Sequence, residues 1–411
     1  MSAFLLIVFG MFAANFAWWL WADIKLRQFG KKVLIWRVAV ALWSLAMAGM
    51  FVLMIVSRMR DWDNVIPVGL LMFLYVWHLA VLPVVLLSFF FSAAYATIHS
   101  TIRNLTRSSQ KQPTPVSSAD AQAPLGLSRR QILATALVAA GPPLLQIAGV
   151  TTAALELGAF RVRRMDVVYN NLPAALNGVR IAHLTDTHFG RFTNRGDVGL
   201  IVEATNKLDA DVVAFTGDLI DFDIEQLPAG LELLRGLKPK SGIVTIEGNH
   251  DLFQDRSGFE RGIKNAGFPL LLNESHELRV GQAGYPMNFL GLQWGTPALR
   301  RDPNLQAWSE ITLAKKNPDA FNVMLTHHPH GYDFAAEKDV PLTLAGHTHG
   351  GQLMLSEQIG PGPMMYRYWS GLYRHRNHPN TACVVSNGIG NWFPLRINAP
   401  AEIVLITLKQ A

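Results

Sequence analysis

Five short stretches place metal-binding side chains directly after apolar runs. They are Asp186-Thr187-His188, Gly217-Asp218-Leu219-Ile220-Asp221, Gly248-Asn249-His250-Asp251, Thr326-His327-His328-Pro329 and Gly346-His347-Thr348-His349-Gly350-Gly351-Gln352. One such stretch would mean little. All five, in order between residues 186 and 352, supply the Asp, Asn and His ligands for two divalent cations. Oxygen donors mixed with imidazoles suit Mn, Fe, Zn or Mg, and with Cys383 as the single cysteine no thiolate set selects a softer metal. A two-metal site is chemistry for displacement at phosphorus.

These residues need a scaffold that brings them together. Short β-branched runs recur at Val179–Leu184, Asp211–Phe215, Gly242–Ile246, Met287–Leu292, Phe321–Leu325, Leu342–Ala345, Thr381–Val385 and Glu402–Leu408. Helix-like segments such as Val198–Leu208 and Leu227–Leu237 lie between several of them. That alternation predicts an α/β domain whose strands are buried between layers. Asp186, Asp218, Asn249, His327 and His347 each fall within a few residues after such a run. Ligands at the C-terminal ends of strands converge on one crevice, where α/β folds place their sites.

The blocks resemble the pattern DxH, GDxxD, GNH[D/E], H and GHxH of the calcineurin-like metallophosphoesterase superfamily, with no block substituted. The Gly-His-Thr-His-Gly-Gly-Gln version and the opening Thr185-Asp186-Thr187-His188-Phe189-Gly190 are similar to its membrane-associated YkuE-like and YaeI-like bacterial branch. The resemblance covers residues 160–408 and implies a four-layer α/β/β/α sandwich with two divalent metal ions. It implies that Asp186, His188 and His349 hold one metal, that Asn249, His327 and His347 hold the other, and that Asp218 bridges them. A water shared by the metals would be deprotonated to attack phosphorus. His250, oriented by Asp221, would protonate the leaving group or stabilise the transition state, and Asp251 would brace its loop through backbone hydrogen bonds.

Some neighbours keep two readings. His327 follows its strand and is favoured over His328 as the ligand, with His328 beside the site. His183, inside a strand, reads as a core histidine, and Cys383 as a core thiol. His330 is placed at the cleft. Asn387, Gly388-Ile389-Gly390 and Arg396 would bind a phosphate or shape the cleft, or the glycines form a plain turn.

The first part of the chain is of another kind. Half of the 411 residues are hydrophobic, and the long uncharged runs lie almost wholly in residues 1–154. Ala3–Trp21, Val33–Val56 and Val65–Ile98 each reach the ~20 apolar residues a membrane span needs. Residues 1–103 therefore read as a membrane region with three transmembrane helices. Residues 104–130 read as a flexible linker, and 131–154 as a fourth span or signal-like segment weakened by Gly141-Pro142-Pro143. Ser128-Arg129-Arg130 before it resembles a twin-arginine export signal, although an arginine pair flanking a membrane helix is the plainer reading. His78 in the third span reads as a neutral, hydrogen-bonded histidine.

Lys25, Arg27, Lys31, Lys32 and Arg37 after the first span, and Arg103, Arg107, Lys111, Arg129 and Arg130 after the third, make those connections cytoplasmic by the positive-inside rule. Four spans then put residues 160–411 on the periplasmic face of a bacterial inner membrane. Three spans would put them in the cytoplasm. The net charge of +6 follows these flanks rather than a nucleic-acid face.

The expectation is an integral membrane enzyme hydrolysing a phosphodiester, phosphomonoester or lipid-linked pyrophosphate with two metals. A cytoplasmic-facing enzyme resembling UDP-diacylglucosamine pyrophosphatases is the alternative. A nuclease lacks support in any basic-aromatic stripe. A non-catalytic membrane sensor would be expected to have lost ligands, and none is lost.

Overall fold

The computed structural model describes residues 2–59, 66–107, 128–295 and 303–411. The loop expected between the second and third spans and most of the expected linker, with Lys111, lie outside these residues. The chain divides into two compact units, 1–154 and 155–411.

The first unit is helical: α1 (Ser2–Arg27), α2 (Leu34–Met59), α3 (Val68–Tyr75), α4 (Leu82–Arg107), α5 (Arg129–Ala139) and the start of α6 (Gly141–Glu156). Among the described residues, stretches 30–57 and 68–103 are long and apolar enough to cross a membrane. The α5–α6 pair is a third candidate, bent by 46°. α1 carries the first expected span, whose opening side chains lie outside those described.

The prolines act as their chemistry requires. Pro67 caps α3, and a π-helical turn over Val76–Val81 precedes Pro83, where the ring would clash with a regular preceding turn. Gly141-Pro142-Pro143 falls in the first turn of α6, where missing N–H groups cost nothing. Two buried polar side chains are partnered within this unit: Asn15 donates to the Ser44 carbonyl and accepts from the Trp77 indole, and His78 Nδ1 lies 3.0 Å from the Leu74 carbonyl.

The second unit holds two sheets. One has the order β1 (Phe160–Tyr169), β11 (Ala401–Gln410), β2 (Arg180–Leu184), β3 (Val212–Thr216), β4 (Gly242–Ile246). The other has the order β5 (Glu274–Val280), β6 (Tyr285–Gly291), β7 (Phe321–Leu325), β8 (Leu342–Ala345), β10 (Ala382–Val385), β9 (Gly371–Arg374). β2, β3 and β4 pair in parallel, as do β6, β7, β8 and β10, while β11 runs antiparallel to β2.

Strand periodicity sets the layers. Val212 and Ala214 of β3 enter a core shared with Phe289, Val323 and Leu344 of the other sheet. Val213 and Phe215 point outward, into a core with α7 (Val198–Asn206), α8 (Leu227–Gly236) and α9 (Arg256–Asn265). The second sheet is covered by α10 (Pro303–Leu313) and α11 (Gly331–Glu337). A one-turn helix, α12 (Pro361–Met365), lies in the loop after β8. The expected four-layer α/β/β/α sandwich is observed, with Cys383 and His183 both fully buried. β1, absent from the expected strands, alternates charged and apolar residues because one of its faces is solvated.

Candidate metal centre

Each block emerges where a parallel strand ends. From the first sheet, Asp186 and His188 follow β2, Asp218 and Asp221 follow β3, and Asn249 and His250 follow β4. From the second sheet, His327 follows β7, while His347 and His349 follow β8. The two sheets thus deliver their loops to one edge of the sandwich, although the chain separates His188 from His349 by 161 residues.

The backbone there is strained. Asp186 (φ 52°), His188 (φ 44°), Asp218 (φ 56°), His347 (φ 69°) and His349 (φ 49°) all occupy the left-handed region. That conformation costs a non-glycine residue on the order of 1 kcal/mol or more. Cross-loop hydrogen bonds hold it. The Asp186 N–H donates to the Gly217 carbonyl (2.9 Å) and the His188 N–H to the Asp218 carbonyl (3.0 Å). The His347 N–H donates to the Asp186 carboxylate at 3.0 Å. The buried Asp251 carboxylate accepts from the N–H groups of Asp218, Ile220 and Gly248, at 2.9, 3.0 and 2.8 Å.

The side chains form two adjoining sets. In one, His349 Nε2 lies 3.0 Å from His188 Nε2 and 3.3 Å from Asp186 Oδ1. In the other, Asp218 Oδ2 lies 3.0 Å from His327 Nε2, and His347 Nδ1 lies 3.0 Å from Asn249 Oδ1. Asp218 Oδ2 is also 3.5 Å from His188 Nε2, so this carboxylate stands between the sets. Asp186-His188-His349 and Asp218-His327-His347 each bring three ligand atoms within 4.8 Å of one another.

The donor atoms fit two cations. His327 Nδ1 donates to the Thr216 carbonyl (2.7 Å), which orients the ring and turns the buried Nε2 toward Asp218 Oδ2. His328 is buried but stacks on His330 and His347 outside both sets, which separates it from its neighbour His327. The electrostatics point the same way. Burial alone would lower the His188 imidazole, but hydrogen bonds to Asp186 and Asp221 and the Asp218 charge push it up to about 10. His327 is likewise pushed up to about 9, burial being outweighed by Asp218. Burial opposes ionisation of Asp186 and Asp218, yet the surrounding imidazoles hold both below the usual carboxylate range. Burial pushes the other two imidazoles down, His347 to about 3 and His349 to about 4, so these two stay neutral with lone pairs available to a cation.

A third grouping, His188, Asp221 and His250, is arranged differently. Asp221 Oδ1 sits 3.2 Å from His250 Nδ1, and the Asp221 carbonyl lies 2.7 Å from the same nitrogen. Asp221 thus meets His250 through Nδ1, leaving Nε2 free of it, and its Oδ1 also lies 3.4 Å from His188 Nδ1.

Several residues at the site were not singled out by the sequence. Trp294 packs edge-on against His327 (5.3 Å between ring centroids) and lies 5.3 Å from His347. It follows β6 at the offset that marks the ligands, and that signal was present. Tyr366 contacts His347 from a loop with no such marker. Arg396 is fully buried, so it shapes the cleft rather than meeting a phosphate. It donates to Asn391 Oδ1 and to the Gly390, Asn387 and Ala399 carbonyls, and lies 3.1 Å from His349 Nδ1. The loop it binds comes so close to Asp186 that a Cβ on Gly388 (φ 74°) would stand 2.6 Å from the Asp186 Cβ.

Known proteins are similar to this chain. The model of the calcineurin-like phosphoesterase family matches residues 179–351. The chain is 30% identical over 299 residues to a transmembrane protein with a metallophosphoesterase domain from Danio rerio, covering 72% of this chain and 66% of that one. It is 31% identical over 232 residues to an uncharacterized metallophosphoesterase of Helicobacter pylori, covering 56% and 60%. It is 28% identical over 245 residues to the metallophosphoesterase YkuE of Bacillus subtilis, covering 58% and 82%. The matches span just under two thirds of the first of these relatives and less of the second.

Proposed function

The chain carries a calcineurin-like phosphoesterase domain, and from that premise we propose that the protein is a membrane-anchored phosphoesterase working with two divalent metals. One observation supports the reading: Asp218 Oδ2 stands 3.0 Å from His327 Nε2 and 3.5 Å from His188 Nε2, within reach of both ligand sets, where a carboxylate would serve two cations. In this reading Asp186, His188 and His349 hold one cation, and Asn249, His327 and His347 hold the other. When bound, the pair supplies water activation and charge neutralisation at phosphorus.

The chain's own residues supply the rest. The Asp221 carbonyl takes the His250 Nδ1 hydrogen at 2.7 Å, which leaves Nε2 to give a proton to the departing oxygen. A new P–O bond forms to water as the ester P–O bond breaks, and that proton balances the leaving alkoxide. Burial of Asp186, His188, Asp218 and His327 keeps bulk solvent from competing for the donors. The substrate in this reading is a phosphodiester or a lipid-linked pyrophosphate, because a membrane tether holds the cleft beside bilayer esters. The basic flanks of the expected spans favour a catalytic domain on the extracytoplasmic face.

The test is hydrolysis of bis-p-nitrophenyl phosphate by the full chain in detergent with Mn²⁺. We expect activity that chelation abolishes and Mn²⁺ restores, and a loss of 100-fold or more, roughly, in Asp218→Asn and in His250→Ala. Activity indifferent to chelation and to both substitutions would refute the reading.

A further inference from the structure

We infer that Phe222, Phe253 and Trp392 form an apolar subsite for the leaving group, so that the substrate's departing alcohol carries a hydrophobic body. The inference rests on the proposed role of His250 as the acid that protonates that alcohol. Phe253 lies 4.6 Å from the His250 ring centroid and Trp392 lies 5.9 Å from it on a separate loop. Phe222 contacts Phe253 at 5.9 Å. Scattered exposed aromatics are ordinary, but here Phe253 and Trp392 both meet the His250 ring and Phe222 extends the group through Phe253. They remain 55%, 51% and 40% exposed for Phe222, Phe253 and Trp392.

Their positions are tied to the acid arm. Phe222 follows Asp221 directly, and Phe253 closes the short helical turn that starts at His250. Trp392 rests on Phe393, and the N–H of its neighbour Asn391 donates to Thr193 Oγ1 at 3.0 Å. Phe222 and Phe253 thus sit on the two loops that carry Asp221 and His250, and Trp392 on a loop anchored through Asn391. A methanol-sized leaving group offers little apolar surface with which to cover them. A ring or an alkyl chain on the ester oxygen would cover them as it meets His250, burying apolar surface on both partners.

The experiment compares the methyl, hexyl and phenyl esters of phosphate, as monoesters and symmetric diesters, using the Mn²⁺-loaded full chain. The reading is kcat/KM for the hexyl or phenyl ester divided by that for the methyl ester. Comparing each ratio between variant and parent cancels the intrinsic reactivity of the alcohols. We expect the ratio to fall about tenfold or more in Phe253→Ala/Trp392→Ala and to be retained in Trp392→Phe, which keeps a ring. A drop confined to the phenyl ester assigns the site to planar groups, and a drop in both assigns it to apolar groups in general. Hydrolysis with an unchanged ratio overturns the subsite while leaving the phosphoesterase reading standing. Absence of hydrolysis of every ester overturns both.

Discussion

At the scale of single residues, geometry separates neighbours that are chemically alike. His327 and His328 differ by one position, yet His327 turns its Nε2 to within 3.0 Å of Asp218 Oδ2 while His328 stacks on His330. Asp218, Asp221 and Asp251 are three carboxylates with three settings: between the ligand sets, behind His250, and under the loop backbone. Asp251 has the most clear-cut energetic consequence. Replacing it with Ala leaves the buried N–H groups of Asp218, Ile220 and Gly248 without their acceptor. At about 1–3 kcal/mol for each unsatisfied group, the expected loss is ~3 kcal/mol or more. For a domain of this size that lowers the thermal unfolding midpoint by ~6 °C or more, measured on the metal-loaded full chain. A midpoint that stays within ~2 °C of the parent would mean that Asp251 does not brace the loop.

At the scale of elements, strand ends and tight turns decide where the ligands can stand. The left-handed backbone at Asp186 and Asp218 aims each carboxylate back across the strand tips, and this requires the loops after β2, β3 and β4 to lie almost in contact. Gly248 marks the closest approach: a Cβ there would meet the Asp218 carboxylate and stand 2.5 Å from its backbone nitrogen. Gly248→Ala should therefore push β3 and β4 loops apart and move the shared carboxylate. We expect metal content, measured by elemental analysis of the purified chain, to fall from two ions toward one or none while the circular dichroism spectrum is preserved. Two tightly bound ions in the alanine variant would show that this approach does not set the metal geometry. Strands β2 to β4 and β6 to β8 were readable from sequence because both of their faces enter buried cores, which makes each a short apolar run. β1 and β5 were not, because half of their side chains face water and break the apolar runs.

At the scale of the whole molecule, the chain combines apolar helices with a sandwich whose chemistry lies at one edge. Which side of a membrane that edge faces depends on whether the α5–α6 pair crosses, and its 46° bend is compatible with a broken span. With both basic connections held in the cytoplasm, four crossings put Ala411 outside. Fusing a periplasm-active phosphatase or a cytoplasm-active reporter after Ala411 tests this in cells. We expect signal from the first only. A fluorescent cytoplasmic reporter at that end would reverse the orientation and favour substrates on the inner leaflet.

The sequence by itself determined the ligand types, their order and their attachment to strand ends, because these are local properties of short segments. It also marked the membrane-length apolar runs, which depend only on composition over ~20 residues. Only the tertiary structure decided which atoms meet. His188 and His349 come within 3.0 Å because two sheets formed from distant segments pack face to face and expose their tips at one edge. The same packing seals Arg396 behind His349 and leaves Phe222, Phe253 and Trp392 around His250. No local pattern encodes such contacts, since the energy that fixes them is the burial of the shared core rather than the preference of any one loop.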